Sequence, residues 1–264
     1  MRTAGFSVSG FILRPLLPIK RLIQQIMPLR LLLLPIVMTL GAIAAGPASA
    51  ACKTTGYTYA GIEGWDSSSG VAATLTVAER PTVAAGHVAA WIGIGGFGAG
   101  AGGADIWLQA GLSARPGRAP HVYYELVQPG VPRRYTEIGA AVRVGQERRV
   151  ALVEIARRPT WWRVWVDGRP VTAPLHLPGK TSWEPTATAE SWNPGGTACN
   201  AYAFRFGQLQ MASARGGPWR DWSHSSTLRD GGAAVRRYGR TAFLAAAVLQ
   251  PERNHEAAAL TVGR

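Results

Sequence analysis

The sequence predicts an all-β protein built as an antiparallel sandwich or barrel. Apolar and polar residues alternate with a period of two after Ala51, and turn residues recur about every ten positions. No stretch shows a sustained helical period with caps. Hydrophobic residues make up 47% of the 264 positions and charged residues only 16%, which is too apolar for intrinsic disorder. We therefore expect one β domain over residues 51–249, followed by a weakly ordered tail over residues 250–264.

The predicted strands follow one another with short polar connections. Val71–Val77 is rich in β-branched residues and is closed by Arg80-Pro81. Trp161–Val166 runs into Asp167-Gly168, which is a strong hairpin signal. The other predicted strands are His87–Ile94, Ile106–Leu112, His121–Val127, Arg149–Ile155, Pro170–Val171, Thr186–Trp192, Ala201–Leu209 and Val235–Ala245.

Residues 1–50 have the pattern of a secretory signal peptide. They contain five basic and no acidic residues, and the apolar run Leu31–Ala45 precedes a small-residue segment that ends at Ala50. An uncleaved membrane anchor is the alternative, but the run has about 15 residues where a span needs about 20. A start at Met27 would give a signal peptide of ordinary proportions. We expect cleavage after Ala50, no stable membrane anchor, and a secreted or periplasmic protein.

The chain has two cysteines, Cys52 and Cys199. An oxidising compartment allows them to form a disulfide. In the chain-entropy model, closing a loop of this length stabilises the fold by about 4–5 kcal/mol. Two free buried thiols are the alternative.

The formal net charge of +13 raises the question of nucleic-acid binding. Five of the 28 basic residues belong to residues 1–50, and others form pairs such as Arg148-Arg149, Arg157-Arg158 and Arg236-Arg237. These pairs fall at loops or strand ends and form no single stripe. We therefore predict a solvated basic surface, with affinity for acidic envelope polymers as a consequence, and no nucleic-acid partner. We expect a monomer.

Standard catalytic and metal-binding motifs do not occur in the sequence. It has no HExxH, no GxSxG and no Cys/His cluster with metal-ligand spacing. Gly93–Gly98 matches GxGxxG, but a glycine loop and another strand follow it, so we reject a nucleotide site. The five histidines are scattered, and none is assigned to a site. The sequence predicts neither a metal ion nor a cofactor.

The strand alternation places several polar and aromatic side chains opposite the core. In Ile106–Leu112, the apolar residues take one face and Gln109 takes the other. Thr186–Trp192 likewise sets Glu190 opposite the small residues Ala187, Ala189 and Ser191. Such residues on four strands could line one concave sheet, although an ordinary solvated face is the alternative. The residues in question are Trp91, Trp107, Gln109, Tyr123, Glu125, Glu190 and Trp192.

At these positions the chain resembles the glutamic peptidases, also called eqolisins. Six short segments carry the resemblance in the family's order over residues 57–210. They are Tyr59-Ala60-Gly61, Val71–Val77 before Pro81, Trp91–Ile94, Trp107–Gly111, Tyr123–Leu126, and Glu190 ahead of Tyr202–Phe206. The chain departs from the family pattern at Gly95, where an Asp is usual, and at Leu126, where a Trp is usual. These departures concern substrate specificity and leave the Gln and Glu in place.

The resemblance implies a concanavalin A-like sandwich of the jelly-roll type that acts as an endopeptidase on polypeptides, in acid. Glu190 would be the general base that takes a proton from the attacking water. Gln109 would stabilise the oxyanion through its amide N–H. Such a mechanism uses no metal and no covalent intermediate. The residues implied to line the substrate cleft are Trp91, Trp107, Tyr123 and Glu125.

Two other functions are compatible with the same residues. A non-catalytic sandwich could bind carbohydrate or peptide through Trp91, Trp107 and Trp192. A glycoside hydrolase could use Glu125 and Glu190 as its carboxylate pair, although the sequence lacks the closely spaced carboxylates of jelly-roll glucanases.

Overall fold

The computed structural model describes residues 55–195, 199–230 and 232–247. The predicted signal peptide, the start at Met27, Cys52 and the tail over residues 250–264 lie outside the described residues. The domain boundaries and signal cleavage therefore stay predictions. No helix long and apolar enough to cross a membrane occurs in the part of the chain that the structure describes.

The described residues form two antiparallel β-sheets. In the front sheet the strands lie in the order β14 (Ser225–Arg229), β1 (Gly56–Gly64), β11 (Pro185–Asn193), β3 (His87–Gly96), β4 (Ile106–Ala114), β5 (His121–Gln128), β6 (Val131–Ala141). In the back sheet they lie in the order β10 (Leu175–His176), β8 (Trp161–Val166), β7 (Glu147–Glu154), β2 (Gly70–Thr82), β12 (Ala201–Ala212), β16 (Phe243–Ala247), β15 (Ala234–Arg237). Two short strands extend the back sheet: β9 (Arg169–Pro170) pairs with β8, and β13 (Trp219–Asp221) pairs with β12.

The hydrophobic core lies between the two sheets. Ile92 and Leu108 of the front sheet belong to the same buried cluster as Leu75 and Phe204 of the back sheet, and all four are fully buried. Alternate residues of each strand point into this layer, as expected when two sheets pack face to face. The prediction of an all-β antiparallel sandwich is confirmed.

Most predicted strands are present, usually longer by one to several residues, and two differences are informative. Val235–Ala245 was predicted as one strand, which is wrong: β15 and β16 pair antiparallel, and the chain turns between them through Gly239 at φ 78°. β6 was not predicted, because most of its side chains are exposed or half-buried and so give no alternating pattern. It lies at the edge of the front sheet, where one-sided pairing and charged residues are common.

The close approach of β3 and β4 depends on a residue without a side chain. A Cβ atom at Gly111 would lie 1.9 Å from the carbonyl oxygen of Ala90 and 2.6 Å from the Cα of Trp91. Because these are backbone atoms, a larger residue can fit only if the two strands move apart. The absence of a side chain at Gly111 therefore permits the close approach of the two strands that carry Trp91 and Gln109.

We expect Gly111→Ala to lower the free energy of unfolding by about 1–3 kcal/mol, since overpacking forces the backbone to shift. Urea denaturation followed by circular dichroism measures this change. Gly96→Ala on β3 is the matched control, because no atom lies within 4 Å of a Cβ at Gly96. Equal stability changes for the two variants would contradict the role assigned to Gly111.

Candidate active site

The outer face of the front sheet carries a cleft formed by two adjoining cavities of about 370 and 280 Å³. Gln109 and Glu190 line both cavities. Trp91 and Trp107 line the larger one, and Tyr123 lines the smaller one. The side chains shared by both cavities are Tyr57, His87, Gln109, Glu125, Arg133 and Glu190. All six residues singled out from the sequence for the dyad and the substrate cleft therefore come together at one place.

The pairing register explains how they meet. Gln109 on β4 lies opposite Gly93 of β3 on one side and Glu125 of β5 on the other. Directly opposite residues of antiparallel strands point to the same face of the sheet. A Cβ at Gly93 would lie 2.9 Å from the Trp91 ring and 3.2 Å from the Cβ of Gln109, so the absence of a side chain at Gly93 leaves room for the indole beside Gln109. In the next row, Trp91, Gly111 and Tyr123 lie side by side.

Glu190 is buried to 5% exposure, and its two carboxylate oxygens have different partners. The Nε2 atom of His87 lies 2.8 Å from Oε1. The indole Nε1 of Trp91 donates to Oε2 at 3.1 Å. A carboxylate offers about four acceptor positions, so two remain for water or substrate. Both partners come from β3, the strand next to β11.

Gln109 is also buried, at 8% exposure. Its Nε2 donates to the hydroxyl of Tyr123 at 3.1 Å, and the Tyr123 ring stacks on Tyr135 with 5.1 Å between centroids. Burial raises the pKa of Tyr123 well above its usual range, and the negative charges of Glu190 and Glu125 raise it further. Tyr123 is therefore a neutral phenol that orients the Gln109 carboxamide.

Glu125 Oε1 accepts a hydrogen bond from Trp107 Nε1 at 3.2 Å and forms an ion pair with Arg133 Nε at 3.1 Å. Burial raises the pKa of Glu125, and the positive charge of Arg133 opposes that shift. The negative charge of Glu190 adds to the increase. Arg133 also lies over the Trp107 ring, 5.2 Å from its centroid. Trp107 and Glu125 are thus tied together by an arginine from the edge strand β6.

The sequence analysis did not assign to the cleft the two residues that contact its carboxylates, His87 beside Glu190 and Arg133 beside Glu125. His87 lies four residues before Trp91 on β3, so the period of two already places both on the same face. This periodicity is the sequence signal that marks His87, although the residue belongs to no ligand pattern. Arg133 could not be found in this way, because its strand β6 has no alternating pattern.

Of the two cysteines in the predicted disulfide, only Cys199 lies among the described residues. Cys199 is not a free thiol, since the described residues include no free cysteine. Cys52 lies outside the described residues, so the Cys52–Cys199 bridge stays a prediction. In the described part of the chain, no three His, Cys, Asp or Glu residues are grouped closely enough to hold a metal ion.

The raised pKa of Glu125 predicts how its replacement changes stability with pH. A carboxyl group with a higher pKa in the folded than in the unfolded chain adds stability at low pH and loses it as pH rises through the folded value. We therefore expect the free energy of unfolding of Glu125→Gln, relative to the wild type, to increase between about pH 4 and about pH 7. Urea denaturation at both pH values measures the difference.

The same substitution in an Arg133→Gln background is the control. Arg133 lowers the pKa of Glu125, so its removal should enlarge the dependence on pH. A stability difference that is the same at both pH values would contradict the environment assigned to Glu125.

No protein-family model matches the chain, and no curated protein matches it. Among solved structures, it is similar to scytalido-glutamic peptidase with a peptide-based transition-state analog, at 14% identity and a TM-score of 0.48, over 74% of this chain and 98% of that one. It is similar to SCP-B, a member of the eqolisin family in complex with the tripeptide Ala-Ile-His, at 13% identity and a TM-score of 0.45, with the same coverage. It is also similar to the carbohydrate-binding module CBM66 from Bacillus subtilis, at 12% identity and a TM-score of 0.31, over 59% of this chain and 81% of that module. At these identities the likeness concerns the β-sandwich, and the roles of the site residues rest on their own contacts.

Proposed function

We propose that the protein is an exported endopeptidase that uses Glu190 and Gln109 to add water to a peptide bond. The observation that carries the proposal is that a buried carboxylate and a buried carboxamide face the same cleft, each held in place by hydrogen bonding to side chains around it. A solvated sheet face would not enclose these groups or supply each of them with an aromatic hydrogen-bond partner.

The chemistry follows from the groups present. The Glu190 carboxylate removes a proton from a water molecule as the water oxygen attacks the carbonyl carbon of a peptide bond. The carbonyl π electrons move to oxygen, and a tetrahedral oxyanion forms. When this intermediate collapses, the C–N bond breaks and Glu190 returns its proton to the leaving amine. Every proton is thereby accounted for without a further reactant.

Gln109 is suited to stabilise the oxyanion. A carboxamide has two N–H donors, and Tyr123 accepts from one of them. The second N–H is left for an oxygen that gains negative charge. A donor held in advance of the reaction costs no reorganisation when that charge develops.

The experiment is a cleavage assay on the protein expressed from its full sequence. A denatured protein substrate is incubated with it from pH 2 to pH 7, and mass spectrometry identifies the products. The matched control is the double variant Gln109→Ala/Glu190→Gln, purified in the same way. We expect cleavage by the wild type and none above background by the double variant. Equal cleavage by both would refute the proposal.

A binding module is the second candidate, and the aromatic lining of the cleft favours it. Tyr57 stacks on Tyr59 at 6.1 Å, and Tyr59 meets the edge of Trp91 at 6.5 Å. Such rings bind sugars or apolar side chains equally well. This candidate is favoured if the wild type cleaves nothing between pH 2 and pH 7 but binds a glycan or peptide in isothermal titration calorimetry.

A further inference from the structure

His87 contacts the carboxylate of Glu190, although it belongs to no sequence motif. Its Nε2 atom lies 2.8 Å from Oε1, and its side chain retains 26% exposure where that of Glu190 retains 7%. The two residues are separated by 103 positions in the sequence. The contact exists because β3 and β11 are neighbours in the front sheet.

The histidine ring is itself held on two sides. Trp192, directly opposite His87 across β11 and β3, stacks on it with 5.8 Å between centroids and an interplanar angle of 27°. Tyr57 meets the ring edge-on at 6.2 Å. A ring held by two aromatic neighbours presents its Nε2 in one direction, so it can hold a carboxylate in one orientation.

The two donors of β3 act on different oxygens of the same carboxylate. His87 engages Oε1 and Trp91 engages Oε2. One donor alone would leave the carboxylate free to rotate about its last bond, whereas one donor on each oxygen fixes its plane. Both donors lie on the same face of β3, four residues apart, so the rigidity of one strand sets the spacing between them.

We propose that His87 is a positioning residue: its Nε2 proton holds Oε1 of Glu190 and, with Trp91, fixes the plane in which the carboxylate meets the attacking water. The part of this proposal that concerns catalysis rests on the proposed peptidase activity. His87 does not exchange a proton with the substrate; it acts through Glu190. Orientation contributes strongly to rate, since a displacement of about 1 Å can cost about 100-fold.

Two substitutions separate the hydrogen bond from the stacking. His87→Phe keeps a ring against Trp192 but removes the donor. His87→Gln removes the ring but keeps an N–H near the position of Nε2. We expect kcat to fall about 10- to 100-fold in His87→Phe with KM within about twofold of the wild type. We expect His87→Gln to recover kcat to within about fivefold of the wild type.

The matched control is His176→Phe. His176 on β10 of the back sheet also stacks on an indole, that of Trp161, at 5.0 Å and 27°, but it does not line the cleft. The same exchange there should leave kcat and KM unchanged. Wild-type kcat in His87→Phe would overturn the proposal, and so would equal impairment of the Gln and Phe variants at position 87, because the ring rather than the donor would then matter.

A measurement that needs no substrate distinguishes failure of the positioning role of His87 from failure of the proposed peptidase activity. If the wild type cleaves nothing, proton NMR still reports whether His87 donates to Glu190. A slowly exchanging imidazole Nε2 proton that is present in the wild type and lost in both His87→Gln and Glu190→Ala supports the contact. If the wild type shows no such proton, the positioning role is refuted whatever the protein does.

Discussion

Glu190→Gln is expected to lower kcat for peptide cleavage by about 10²- to 10⁴-fold, the range that a general base contributes. Gln has the same shape as Glu, and its carbonyl oxygen can still accept from one of the two donors on β3, His87 or Trp91. It cannot take a proton from water. Because the exchange leaves the lining of the cleft almost unchanged, we expect KM to stay within about threefold of the wild type.

Initial rates on a fluorogenic peptide at several substrate concentrations separate kcat from KM. Glu147→Gln, the same exchange at an exposed position on β7 of the back sheet, is the matched control and should behave as the wild type. Near-ultraviolet circular dichroism checks that the aromatic side chains keep their packing. A kcat above one tenth of the wild-type value would show that Glu190 is not the base.

Gln109→Ala is expected to lower kcat by about 10²- to 10³-fold, the range typical for the loss of one oxyanion donor. The substitution removes the carboxamide, including the N–H that Tyr123 does not accept, and leaves Glu190 in contact with His87 and Trp91. It also removes the partner of the Tyr123 hydroxyl, which costs about 1–3 kcal/mol of folding stability. The assay is therefore run well below the melting temperature of the variant.

The variant Tyr123→Phe is the control for this prediction. It removes the hydroxyl that accepts from Gln109 but keeps the carboxamide, so kcat should fall by less than about tenfold. The loss of kcat in the double variant of Gln109 and Glu190 should be smaller than the product of the two single losses. The effects of groups that act on the same transition state are not additive. A fully multiplicative loss would mean that the two residues act independently.

The front-sheet strands show how far a periodic sequence can be interpreted. A period of two decides which side chains share a face, and it correctly places Trp91, Gln109, Tyr123 and Glu125 away from the core. The same period places His87, four residues before Trp91 on β3, on the same face of the sheet as Trp91. The pattern fails for β6, because an edge strand whose side chains are exposed or half-buried on both faces needs no alternation. The sequence therefore does not indicate that Arg133 faces the cleft.

Sequence periodicity by itself determined an all-β sandwich or barrel and the faces of the central strands, because alternation is a local property of each strand. The two candidate catalytic residues, Gln109 and Glu190, came from the resemblance to the glutamic peptidases. Only the tertiary structure decided which strands are neighbours and in what register they pair. That pairing sets His87 against Glu190, 103 positions away, and Arg133 against Glu125. Contacts between strands depend on the packing of the whole sheet, which no short segment encodes, so the partners of Glu190 and Glu125 emerge only when the front sheet is assembled.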